Sequence, residues 1–269
     1  MRRWRLALRL VESRQLLTLL LVGAFFWSLT SVDWNGPLVH SGGGSSALKF
    51  LLALFPPELS PEFLALGLRA SWQTLVYAVA GMSVAVLIGF PLGVIASGTI
   101  VSPSSRSRAF VIGGTRLLLG GMRAIHELVW AVLFVAAVGL SPLAAIFALG
   151  LPYGGILGRI YAEMLQDVPQ EPLRALRVAG ASQLRVLFYG YIPMALPELV
   201  SYTFYRLECA IRSAAILSFI GIRGLGFEIE LSLDDLLFRQ VWTLLLFLIG
   251  LVVLVDLWSM RVRRSLVSS

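Results

Sequence analysis

No charged side chain occurs between Arg69 and Arg106. A helix of about 20 apolar residues crosses a hydrocarbon layer of ~30 Å, and this stretch exceeds that length. Apolar runs recur at Leu16 to Val32, Leu143 to Tyr161 and Val241 to Trp258. Apolar residues make up 58% of the 269-residue chain and charged residues 14%, with a mean hydropathy of +0.84. Such a composition excludes an ordinary water-soluble domain. The period-two alternation of a membrane barrel is absent, so the spanning elements must satisfy their backbone hydrogen bonds as helices. The expected fold is an all-α polytopic membrane protein.

Six crossings account for the chain in order. Arg2, Arg3, Arg5, Arg9 and Arg14 precede the first, Leu16 to Val32. Residues 33–62 form an external loop containing Ser41 to Ser46, Pro56-Pro57 and Pro61, and its Leu48 to Phe55 piece suits an interfacial helix. The second crossing is Leu68 to Ser97, where Gly81, Gly89, Pro91 and Gly93 permit close helix contact and a kink. The third begins near Leu117 and continues through Glu127 to Val138. A tight turn at Gly139 to Pro142 leads to the fourth, Leu143 to Tyr161. Leu196 to Ile220 is the fifth and Val241 to Trp258 the sixth, with an acid-rich external segment, Phe227 to Arg239, between them.

Charge supports this topology. Arg106, Arg108, Arg116, Arg123, Arg159, Arg174, Arg177, Arg185, Arg261, Arg263 and Arg264 join the N-terminal arginines on one side. The opposite loops carry Lys49, Arg223 and Arg239 against Asp33, Glu58, Glu62, Glu228, Glu230, Asp234 and Asp235. Basic loops stay in the cytoplasm, so both termini are expected inside. This placement reports membrane orientation and gives no support for nucleic acid as a partner.

The inner stretch from Pro169 to Pro193 is too polar for lipid and too patterned for a plain connector. Pro172 suits a first helical turn, and Leu173, Leu176 and Ala179 recur near helical spacing beside Arg174 and Arg177. Gly180 interrupts the helix and Ser182 is placed to cap a second one, Leu184 to Tyr191, expected to stop ahead of Pro193. The expected product is a docking surface of two short helices bent about a glycine. An ordinary amphipathic loop is the alternative.

At Ala175, Gly180, Ile192 and Pro193 this stretch resembles the cytoplasmic coupling loop of ABC importer permeases, with Arg174 where that family carries glutamate. The resemblance implies a type I ABC importer permease fold and a bacterial inner-membrane location. Leu173, Arg174, Ala175, Leu176, Arg177, Gly180, Ala181 and Ser182 would then form the ATPase-coupling loop. Residues 1–66 would be an N-terminal helix and external loop, 67–264 the permease domain, and 265–269 a short tail.

Arg206, Glu208 and Arg212 fall inside the fifth crossing, where ionised groups are costly unless paired or hydrated. Glu208 and Arg212 are four residues apart and can pair along one helix face. Glu127, with His126 and Arg123, forms a second cluster. These groups, with Ser213, either fix helix packing or line a hydrated pathway. Tyr205 to Ile229, YRLECAIRSAAILSFIGIRGLGFEI, and Arg123 to Pro142 resemble permeases for phosphonates and related reduced-phosphorus oxyanions. The likeness runs from about Trp72 to Trp258. It implies alternating access by two permease copies, driven by two ATPase subunits that hold ATP and magnesium and supplied by an external substrate-binding protein. Arg206 and Arg212 would attract the oxyanion transiently, and Gly221, Gly224 and Gly226 would form an external gate.

Enzyme signatures are missing. The sole lysine, Lys49, lies in no phosphate loop, so ATP chemistry belongs to another chain. His40, His126 and Cys209 cannot furnish an ordinary zinc site, and no Gly-x-Ser-x-Gly motif occurs. A proton-coupled transporter using Glu127 and Glu208, or a membrane scaffold, is the rival class.

Overall fold

A computed structural model describes residues 2–32, 43–100 and 107–267, with side chains described for 14–32, 43–100 and 107–264. Asp33, His40, Ser41, Arg106 and the last two residues therefore lie outside the described part. The described residues are helical, with no strand among them: α1 (Arg2–Thr30), α2 (Gly43–Leu52), α3 (Pro61–Ser97), α4 (Arg108–Ala124), α5 (Glu127–Val138), α6 (Pro142–Asp167), α7 (Gln170–Val178), α8 (Gln183–Val186), α9 (Ile192–Leu217), α10 (Leu225–Asp234) and α11 (Phe238–Val267). Residues 1–52 and 53–269 are separate compact units. In the first, the apolar part of α1 runs from Arg14 to Thr30 and presents Leu19, Phe25 and Trp27 outward.

In the second unit, α3, α6 and α11 are each long and apolar enough to cross a membrane, and α4 with α5 forms a bent pair that meets the same test. The 26 residues of α9 reach roughly 39 Å at ~1.5 Å per residue, sufficient for a crossing despite four charged side chains.

Small residues dominate the buried face of α3, while several of its large ones face outward. The buried face of α3 includes Gly67, Ala70, Ser71, Thr74, Ala78, Gly81, Ala85, Gly89 and Gly93, whereas Leu68, Trp72 and Leu87 are exposed. Gly150, Gly154 and Gly158 of α6 meet this stripe. A Cβ added at Gly89 would come within 2.8 Å of the Gly154 carbonyl, and one at Gly93 within 2.7 Å of the Gly158 carbonyl. Backbones this close gain dispersion contacts that lipid tails cannot displace, the packing mode expected of small-residue stripes in membranes.

The expected third crossing is broken. Between α4 and α5 the chain turns by 85°, because Ile125 is extended and His126 starts a new helix as its N-cap. His126 Nδ1 accepts from the Leu128 N–H at 3.3 Å. The Trp130 indole donates to the Met122 carbonyl at 3.2 Å, satisfying an acceptor that the end of α4 leaves open. The second inner helix also differs from expectation. It continues through a π-turn, Leu187–Tyr191, directly into α9, with Pro193 in the first turn of α9. The Ile192 N–H reaches back to the Leu187 carbonyl, so the ladder changes register just where proline supplies no donor.

Candidate functional site

Two places bring the expected site residues together. The first is the inner loop. Leu173 is fully buried and Leu176 half-buried, while Arg174, Ala175, Arg177 and Ser182 are exposed and Val178 is 90% exposed. Leu173 therefore anchors α7 from beneath, and the outward face belongs to its neighbours. The anchor is seated against backbone, since a Cβ at Gly190 would lie 2.5 Å from Leu173 Cδ2 and 3.1 Å from Leu176 Cδ1. The Arg177 guanidinium donates to the Tyr191 hydroxyl at 3.1 Å, adding a polar tie.

Gly180 ends α7 with φ at +81°, in the left-handed region that disfavours a Cβ. The Gly180 N–H bonds to the Arg177 carbonyl and the Ala181 N–H to the Leu176 carbonyl, both at 3.0 Å. These two bonds form a Schellman termination, so the bend is defined by hydrogen bonding. Ser182 Oγ accepts from the Arg185 N–H at 3.5 Å and caps α8.

The second place lies among α5, α6 and α9. Ser213 Oγ donates to Glu127 Oε1 at 2.7 Å, joining residues that the sequence separates widely. The Tyr153 and Ser213 hydroxyl oxygens are 3.0 Å apart. Serine has one hydrogen and directs it to the carboxylate, so Tyr153 is the donor in that contact. With His126 Nδ1 accepting from backbone, the neutral ring carries its hydrogen on Nε2, which lies 3.7 Å from Glu127 Oε2. Glu127 also occupies the first turn of α5, where the helix dipole favours a carboxylate. Further along α6 and α9, Tyr161 and Thr203 share another hydroxyl pair.

Glu208 and Arg212 pair as expected, at 3.0 Å, with Arg212 half-exposed. The Arg206 guanidinium instead donates through Nε and Nη2 to the Tyr202 hydroxyl at 2.8 and 2.6 Å, and lies 5.6 Å from the centre of the Tyr205 ring. Arg123 does not join Glu127; it faces a cavity between α4 and α6. Sequence reasoning missed Tyr153 and Tyr202. A tyrosine beside Pro152 and Gly154-Gly155 in an apolar run, and another four residues before Arg206, were the available signals.

The three outer glycines occupy tight positions. Gly221 caps the turn after α9 with φ at +93°. Gly224 abuts Ser218 and Thr74, and a Cβ at Gly226 would overlap the Ala215 carbonyl. Thr74 Oγ1 accepts from the Leu225 N–H at 2.9 Å, tying this turn to α3. A cavity of about 620 Å3 between α3 and α10 exposes Arg69, Gln73, Arg223 and Glu228. Burial pushes the Glu228 carboxyl above the usual carboxylate range, with Arg223 opposing the shift.

Small-residue packing, a terminated helix between two crossings and ionisable groups inside the bundle are the features that a membrane transport component needs. A family model described as the binding-protein-dependent transport system inner membrane component matches residues 89–267. The chain belongs to this family and is a permease subunit of an ABC importer, carrying out transport rather than enzymatic catalysis. The family implies ATPase and substrate-binding-protein partners and a multi-pass inner-membrane location. The phosphite transport system permease protein PtxC of Stutzerimonas stutzeri is 32% identical over 236 residues, covering 86% of this chain and 83% of that protein. The phosphate-import permease protein PhnE of Mycolicibacterium smegmatis is 27% identical, covering 86% of this chain and 42% of its own length. Among solved structures, the inward-facing MetNI methionine ABC transporter matches with a TM-score of 0.68 at 23% identity, over 77% of this chain and 99% of that one. This bears out the all-helical, type I ABC importer permease fold.

Proposed function

We propose that this permease carries phosphite, phosphonate or a related phosphorus oxyanion through a pore formed by two copies of the chain. The phosphite and phosphate permeases to which the chain is similar support the substrate class. The mechanism rests on one observation: α9 leads without a break from the π-turn under α7 to Ser213, which bonds Glu127. Movement of the inner loop is thereby delivered to the polar cluster along one continuous helix.

Arg174, Ala175, Arg177, Ala181 and Ser182 present the docking face to the ATPase, while Leu173, Leu176 and Gly180 hold its shape. ATP and magnesium reside in that partner. Nucleotide-driven approach of the two inner loops rotates α9 and opens the pore outward, and hydrolysis resets it. The external binding protein delivers cargo at the turn of Gly221, Gly224 and Gly226, which acts as the gate. Arg206, held by Tyr202, and Arg212, paired with Glu208, offer their remaining guanidinium N–H groups to the passing oxyanion. Six crossings would put both termini in the cytoplasm, a reading that the arginine distribution supports.

The test is uptake of radiolabelled phosphite and methylphosphonate into proteoliposomes containing the permease and its ATPase, with the binding protein present. ATP-dependent uptake is expected; uptake persisting without ATP under a proton gradient would overturn the scheme. Differently tagged copies should co-purify as a pair, whereas a second, non-identical permease in the complex would refute the homodimer.

A further inference from the structure

Three arginines on the inner half of the bundle have no part in the mechanism above. Arg116, Gly120 and Arg123 recur at i, i+4 and i+7 along one face of α4; Arg159, Glu163 and Gln166 do the same on α6. The helices cross where Leu119 and Met122 seat against Gly155 and Gly158, which brings the two polar stripes face to face. Between them lies a cavity of about 380 Å3 lined by Arg116, Gly120, Arg123, Arg159, Glu163 and Gln166.

Its charge is unbalanced. Arg159 pairs with Glu163 at 2.9 Å. Arg116, which lines the cavity, donates through its Nε to the Ala96 carbonyl at 3.2 Å. Among the described residues no carboxylate lies within ion-pair distance of Arg116 or Arg123. The floor is a glycine, and a Cβ at Gly120 would meet nothing within 4 Å. Leu117 and Leu118 stand exposed beside Arg116, so apolar surface borders the cationic hollow.

We infer that this cavity is a binding site for a phosphate group, with Arg116 and Arg123 as its guanidinium ligands and Gly120 providing the space. Paired guanidinium forks match the oxygens of a tetrahedral phosphorus oxyanion. Basic hollows between helices on the cytoplasmic side suit anionic headgroups. The same chemistry is presented by the headgroup of an anionic lipid or by a free phosphate ion. The inference stands independently of the cargo proposed above.

Native mass spectrometry of the delipidated full-length transporter complex, titrated with phosphatidylglycerol or phosphatidylcholine, tests the lipid source. Radiolabelled inorganic phosphate, added to the complex in phosphatidylcholine nanodiscs, tests the free ion. Two variants accompany both: Arg116→Gln with Arg123→Gln, and Gly120→Leu. In the second, a Cβ meets nothing within 4 Å and leucine is a better helix former than glycine, so α4 is expected to keep its fold. Either probe should bind to the native chain with affinity lowered about tenfold or more in both variants, through lost charge-assisted hydrogen bonds in the first and lost space in the second. Selective retention of phosphatidylglycerol identifies a lipid site, and phosphate binding identifies a free-ion site. Binding of neither probe, or binding indifferent to Gly120→Leu, overturns the inference.

Discussion

Truncating Leu173 to alanine tests whether the inner loop must stay seated for ATP to drive transport. The leucine is fully buried and rests on the bare backbone of Gly190, with Leu176 and Val186 as the side chains nearest that glycine. Leucine-to-alanine changes in buried sites cost about 2–5 kcal/mol, and with Leu176 and Val186 able to relax only in part, about 3 kcal/mol is expected here. That is roughly a hundredfold change in the ratio of seated to unseated α7. The Arg177–Tyr191 hydrogen bond contributes only about 1–1.5 kcal/mol and cannot compensate. Hydrogen exchange over residues 170–182 of the assembled transporter should accelerate, while ATP hydrolysis continues and uptake per ATP falls. The reciprocal change discriminates further. Gly190→Ala alone should overpack against Leu173, whereas Gly190→Ala combined with Leu173→Ala should recover part of the protection, because the added methyl occupies the vacated space. Unchanged exchange and uptake in Leu173→Ala, or no recovery in the double variant, would refute the reasoning.

Gly180→Val should cost about 1–3 kcal/mol through its left-handed φ and reduce uptake per ATP hydrolysed, with Gly180→Asn much milder; equal coupling in both variants would argue against the bend. Arg212→Ala should lower transport or complex yield by stranding Glu208, and adding Glu208→Ala should restore part of the loss. A fully active double variant would mean that neither side chain is needed beyond neutralising the other. Gly89→Leu should abolish membrane accumulation of folded protein, since its Cβ alone would press on the Gly154 carbonyl and Leu157. Size-exclusion profiles of the purified chain would register normal assembly if that packing were dispensable.

Several features were legible without coordinates because they are properties of a single segment. Uncharged runs announced membrane helices. Pro172, Gly180 and Ser182 punctuated the inner loop through backbone chemistry confined to a few residues. The i, i+4 spacing of Glu208 and Arg212 likewise predicted a contact that forms.

Other features depend on where separate segments meet. The sequence marked Glu127 and Ser213 as unusual, but only packing of α5 against α9 joined them and made Tyr153 part of the same hydrogen-bonded chain. Periodicity could not foresee the 85° turn before α5, since His126 reads as an ordinary polar residue until its ring caps the new helix. Nor could it reveal that Leu173 would seat on Gly190, or that Arg123 would face α6 instead of Glu127. Sequence determined which stretches are helical and which tolerate lipid, because those preferences act along a few turns of chain. Tertiary structure decided which charges meet and which surfaces remain open, because each contact depends on the close approach of distant backbones.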